Sequence, residues 1–111
     1  MARASLILHR KRYFDDGAMS EIKLWIVPGP VPGSRHEFKY SLYYGQSGER
    51  LVGYDNERGK GDHRHYRERE EPYAFTTPEQ LIADFLHDVR KLRRGRRKAH
   101  DSYKGGRGRL A

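Results

Sequence analysis

The amino-acid sequence predicts an α+β domain: an antiparallel sheet of four to five strands packed by one C-terminal helix, followed by a basic flexible tail. Three observations carry that reading. Apolar and polar residues alternate with period two through the first half of the chain, turn signals separate these runs, and a single stripe at helical spacing follows residue 77.

Residues 5–14 and 18–27 read as two strands joined at Asp15-Asp16-Gly17, with Ile22, Leu24 and Ile26 alternating against Glu21, Lys23 and Trp25. The segment Pro28-Gly29-Pro30-Val31-Pro32-Gly33 has too few backbone donors for a ladder and is an irregular excursion. Phe38, Tyr40, Leu42 and Tyr44 then alternate with Lys39, Ser41 and Tyr43. This turns Tyr40 and Tyr44 to the core and leaves Tyr43, with Tyr66 further on, as the exposed pair. Gln46-Ser47-Gly48-Glu49 turns the chain into a strand at 50–54, and a fifth strand is expected around His63 to Arg67. Tyr73 and Phe75 anchor the connection into the helix. That helix opens with Thr77 as N-cap, Pro78 at the first helical position and Gln80 at the capping-box position. Leu81, Ile82, Phe85, Leu86, Val89 and Leu92 form its apolar stripe, with Glu79, Asp84, Asp88, Arg90 and Arg94 outside the stripe and Gly95 as the expected stop.

The 111 residues are 35% hydrophobic with a mean hydropathy of −1.04, so the core is modest and association can complete it, as a homo-oligomer or with a partner chain. We expect a single domain over 1–94 and a basic flexible tail over 95–111. The net charge of +8 sits in the tail, because residues 93–111 contribute +7 and the remaining 92 only +1. Such a tail suits RNA or an acidic partner. No apolar run is long enough for a membrane and the N-terminal apolar stretch is too short for a secretory signal, which points to a cytoplasmic protein without a membrane partner. With no cysteine there is neither a disulfide nor a cysteine nucleophile, and a metal site would need His and carboxylate ligands.

The chemistry-rich segment is Gly53-Tyr54-Asp55-Asn56-Glu57-Arg58-Gly59-Lys60-Gly61-Asp62-His63-Arg64-His65. On a strand, a His-x-His pair presents both imidazoles to one face, with Cα atoms roughly 6.5–7 Å apart, close enough to bracket a phosphate. Metal-free RNA cleavage needs a base for the 2′-hydroxyl, an acid for the 5′-oxygen and cations for the phosphorane. His63 and His65 supply base and acid in either order, Lys60 and Arg64 stabilise charge, and Asp55 or Asp62 orients an imidazole, with no cofactor required. Tyr54, Asn56, Arg58, Arg64 and Arg67 are the candidate substrate contacts. Three other readings stand beside this one: a solvated hairpin loop, a metal site built on His-x-His with Asp55 or Asp62, and a phosphate cradle for nucleotide transfer. The last lacks the G-x-x-x-x-G-K-[ST] order of a P-loop. His9, His36, His87 and His100 read as solvated surface residues, and Glu68-Arg69-Glu70-Glu71 as an acidic cluster that diverts an RNA path.

Tyr54-Asp55-Asn56 followed by Gly59-Lys60-Gly61-Asp62-His63-Arg64-His65, together with Lys23 to Ser34, Phe38 to Leu42 and Glu70-Glu71-Pro72-Tyr73, resembles the TumE family of small toxins over residues 5–92. The resemblance implies the toxin of a type II toxin-antitoxin pair, acting on RNA and partnered by a helix-turn-helix antitoxin. It implies no particular catalytic assignment. A non-catalytic nucleic-acid or partner-binding protein, gripping through the tail, is the rival from another class.

Overall fold

The computed structural model describes residues 3–57 and 59–105, with side chains described as far as Gly95. Six strands run in sequence order as an antiparallel meander: β1 (Ser5–Tyr13), β2 (Ala18–Ile26), β3 (Phe38–Gln46), β4 (Glu49–Asp55), β5 (His63–Tyr66) and β6 (Arg69–Pro72). One helix, α1 (Pro78–Gly105), packs on one face of the sheet. The α+β class is as expected, but the strand count is six. The added strand is β6, the supposed acidic cluster. Its charges and its terminal proline suit an edge strand, which must discourage further pairing, and they hide its β character from propensity.

Register divides the side chains between two faces. Ile22 pairs with Leu42, Leu42 with Tyr54, Tyr54 with Arg64 and Arg64 with Glu71, and this row faces the helix. The next row over, Lys23, Ser41, Asp55 and His63, faces away from it. Helix residues Leu81, Phe85, Val89 and Leu92 close the core over Ile22, Leu24, Tyr40, Leu42, Tyr44, Val52 and Tyr54, all of them buried. Tyr40 and Tyr44 therefore point inward as alternation required, and Tyr43 and Tyr66 are half-buried. Ile26, beyond the reach of the helix, is exposed.

Thr77 caps the helix through its Oγ1, which accepts from the Gln80 N–H at 3.0 Å. The Gln80 side chain donates to Asp84 and does not accept from the Thr77 N–H, so no reciprocal box forms. Gly95 does not end the helix, whose backbone continues to Gly105; the tail's side chains and residues 106–111 lie outside the described residues.

Asp88, which lies outside the apolar stripe of the helix, is nevertheless buried. It accepts from the Tyr54 hydroxyl at 2.5 Å and from Arg64 Nε at 2.7 Å, while Arg64 also reaches Glu71 at 2.6 Å. Burial and the Asp88 carboxylate push the Tyr54 hydroxyl well above the ordinary tyrosine range, and Asp88 holds the Arg64 guanidinium charged. This triad ties the middle of α1 to β4 and β5. Replacing Asp88 with Ala leaves a largely buried guanidinium short of a counter-charge and should cost about 3 kcal/mol. Thr77→Ala should cost about 1 kcal/mol. Urea unfolding of the two variants against wild type checks the ranking, which fails if the cap loss is the larger.

Candidate functional site

Two loops dock against each other before β5 begins. Gly33, at φ 100°, and Gly61, at φ 78°, pass so closely that a Cβ on Gly33 would come within 2.7 Å of the Gly61 nitrogen. The Gly59 N–H donates to the Pro32 carbonyl at 2.8 Å. Only glycine gives this backbone both its positive φ and its room. The proline-rich excursion is thus the support on which the histidine stretch rests.

That contact sets Asp62 among three donors, the Ser34 hydroxyl, His36 Nε2 and the Tyr40 hydroxyl, each at 2.6 Å. Burial alone would raise the Asp62 carboxyl, but these three hydrogen bonds outweigh it and hold the group below the ordinary aspartate value. His36 is therefore no solvated surface residue. Its Nδ1 accepts from the Phe38 N–H at 3.2 Å, so Nε2 carries the proton given to Asp62, and its ring stacks on Phe75 with centroids 3.7 Å apart. Asn56 is buried in the same region, where its Oδ1 accepts from the Tyr40 N–H and its Nδ2 donates to the Phe38 carbonyl at 2.7 Å. It extends the ladder of β3 past the end of β4.

From Asp62 the strand alternates. His63 and His65 go to the face without a helix, and Arg64 goes to the face beneath α1. On the open face the two imidazoles lie edge to face, with centroids 5.1 Å apart. His63 is nearly enclosed, with Nδ1 3.0 Å from the Gly61 carbonyl and Nε2 2.8 Å from Asp55 Oδ1. A carbonyl and a carboxylate both only accept, so each ring nitrogen of His63 faces a group that it can meet only by donating. His65 has the opposite setting. Its Nδ1 accepts from Arg50 at 3.0 Å, which requires a neutral ring, and burial followed by the nearby Arg50 charge lowers its pKa below the ordinary histidine value. Glu70 Oε2 closes the group, 3.6 Å from His63 Nε2 and 3.5 Å from His65 Nε2.

Arg50 reaches this face because of a β-bulge. Val52 pairs with Tyr44 and Arg50 with the next residue, Gly45, which leaves Leu51 unpaired and re-aims Arg50. Its stem lies over Gly53, where a Cβ would come within 2.8 Å of Arg50 Cδ.

Of the nominated residues, then, Asp55, His63 and His65 converge. Lys60 does not join them and lines a separate cleft with Arg35, His36, Asp62, Tyr73 and Phe75. Arg64 and Tyr54 are engaged with Asp88 under the helix, Asn56 is buried, and Arg67 sits exposed in the β5–β6 turn at φ 58°. Arg58 lies outside the described residues. Sequence reasoning missed Arg50, Glu70 and His36. Alternation through Arg69-Glu70-Glu71 was the available signal for Glu70; the bulge that delivers Arg50 and the loop contact that buries His36 have no local signature.

The fold and the site define a small α+β domain with a histidine-carboxylate centre on a bare sheet face. The family model for Toxin TumE matches residues 3–93, and the chain belongs to that toxin family. No curated protein and no solved structure matches it. Among the described residues no helix is long and apolar enough to cross a membrane.

The Asp62 hub gives a pH dependence with a defined sign. A carboxyl whose folded pKa is depressed contributes stability that is present above its unfolded value, near 3.8, and is lost as pH falls through the lower folded value. Asp62→Asn should therefore be less stable than wild type at pH 7, with a difference that shrinks as the pH falls below 3.8. Urea midpoints at pH 7, 5, 4 and 3 measure it; a constant difference would show that the Asp62 charge is immaterial.

Proposed function

We propose that the chain is a type II toxin that cleaves RNA by metal-independent acid–base chemistry at the open-face histidine centre. One observation supports this above the others: the two imidazoles are adjacent but set in opposite hydrogen-bonding surroundings, His63 between two acceptors and His65 against a cationic donor. Divergent environments for paired titratable groups are what an acid and a base require. His63 is the acid and His65 the base, an order the spacing of the two residues left open.

On this reading a phosphodiester draws Arg50 from His65 Nδ1 to a non-bridging oxygen. The freed Nδ1 lone pair takes the 2′-hydroxyl proton, and the 2′-oxygen attacks phosphorus. The 5′-oxygen leaves with the Nε2 proton that His63 shared with Asp55, giving a 2′,3′-cyclic phosphate and a 5′-hydroxyl. Arg50 replaces Lys60 and Arg64 as the cation nearest the phosphorane. The surrounding face suits single-stranded RNA, since Lys39 Nζ lies 4.6 Å over the Trp25 ring and Lys23, Ser41 and Tyr43 share the same side of the sheet. A cognate antitoxin, helix-turn-helix by the family resemblance, has this uncovered face available to mask.

Purified protein incubated with a defined RNA in EDTA tests the reading. Cyclic phosphate ends are expected, with cleavage falling about 100-fold or more in His65→Ala and in His63→Gln, and about 10-fold or more in Arg50→Ala. Lys60→Ala and Arg67→Ala should stay near wild type. Undiminished cleavage in folded His65→Ala would refute the assignment, and intact RNA would shift weight to nucleotide transfer or to binding through the tail.

A further inference from the structure

We propose that Asp55, His63, His65 and Glu70 also form a binding site for one divalent transition-metal ion of the zinc class, and that ion binding and acid–base chemistry exclude each other. The binding half stands on geometry alone; the inhibitory half rests on the ribonuclease reading above. One ligand atom from each of Asp55, His63 and His65 lies within 4.8 Å of the other two. Glu70 Oε2, 3.6 and 3.5 Å from the two Nε2 atoms, adds a fourth. Tetrahedral zinc with bonds of about 2.0–2.1 Å sets its ligands roughly 3.3 Å apart, so the 2.8 Å His63–Asp55 contact must open and the wider separations, all within 4.8 Å, must close.

The donor set decides the class of ion. Two imidazoles with two carboxylates suit zinc and its neighbours, whereas magnesium prefers oxygen ligands and retains its waters. The Gly61 carbonyl already fixes His63 in the tautomer that leaves Nε2 as the ligand, the usual outer hydrogen bond of a metal-bound histidine. The ion takes the place of the proton between His63 and Asp55.

His65 supplies the discriminating detail. While Nδ1 accepts from Arg50, Nε2 carries the proton and cannot ligate. Arg50 must withdraw and the proton move to Nδ1 before Nε2 binds an ion. Arg50 therefore opposes the metal while it assists the phosphate. A bound ion removes both the acid proton of His63 and the free lone pair of His65, so it inhibits cleavage.

The test is calorimetric titration of the chelator-treated, untagged full-length protein with Zn²⁺, with Co²⁺ absorption as a second probe of a tetrahedral site. One ion per chain is expected. Affinity should fall at least about tenfold in His65→Ala and in Glu70→Gln, the latter a half-exposed position that tolerates the change, and should rise in Arg50→Ala. No binding, or equal affinity in His65→Ala and wild type, overturns the site. In the RNA assay, Zn²⁺ that inhibits wild type supports the exclusion, and Zn²⁺ that activates overturns it. RNA left intact with and without the ion refutes the ribonuclease reading and the inhibitory half together, while calorimetry decides the binding site independently.

Discussion

The contact of Gly33 with Gly61, and the Asp62 carboxylate it positions, is the constraint on which the rest of the molecule depends. A proline-rich excursion of six residues has few backbone donors and little reason to hold one shape. Here it is fixed because Asp62 collects protons from Ser34 and His36 at the far end of that excursion and from Tyr40 inside the core. The same residue immediately precedes β5. Its carbonyl accepts from the Tyr73 N–H, so it also fixes where the chain leaves the sheet for the helix. The stretch from Ser34 to Tyr40 therefore meets the Asp62 carboxylate while Tyr73 meets its carbonyl, and charge-assisted hydrogen bonds are among the few interactions strong enough to hold such a junction.

Pinning Asp62 also fixes which way β5 faces. Strand side chains alternate with period two, so a shift of one residue would send both histidines under the helix and bring Arg64 out. Arg64 prevents that shift from the other side, because Asp88 and Glu71 satisfy it only beneath α1. One short motif thus divides into a structural half and a chemical half. Tyr54, Asp62 and Arg64 hold the sheet to its supports, while Asp55, His63 and His65 remain on the face opposite the helix.

The architecture was legible wherever one physical period dominated. The meander followed from alternation through Phe38 to Tyr44, and the helix from Thr77 and the stripe that begins at Leu81. The sixth strand was not legible, because Arg-Glu-Glu-Pro carries the composition of a loop for reasons that belong to edge strands. Asp88 misled for a related reason: charge normally argues for solvent, and its partners come from two strands remote in sequence. At the site, His-x-His with Asp55 could be read from spacing because all three lie within one hairpin. Arg50 could not, since its position depends on the bulge that leaves its neighbour Leu51 unpaired. Nor could the division between Lys60 and the histidines, which follows from the loop contact rather than from their nearness in sequence.

The two histidines gain their difference from the backbone more than from other side chains. His63 meets the Gly61 carbonyl because Gly61 takes a positive φ that turns its peptide toward the ring two residues on. His65, one strand step further, has no such carbonyl and instead meets Arg50, which the bulge at Leu51 delivers across the bare backbone of Gly53. Two local distortions of an otherwise regular sheet therefore set one imidazole against acceptors and the other against a donor. A regular ladder at the same positions would give two equivalent rings, able to bind an anion or an ion between them but with no reason to prefer one direction of proton transfer. The asymmetry lies in the glycines, which explains why a segment so rich in charge also spends three of its thirteen positions on residues without side chains.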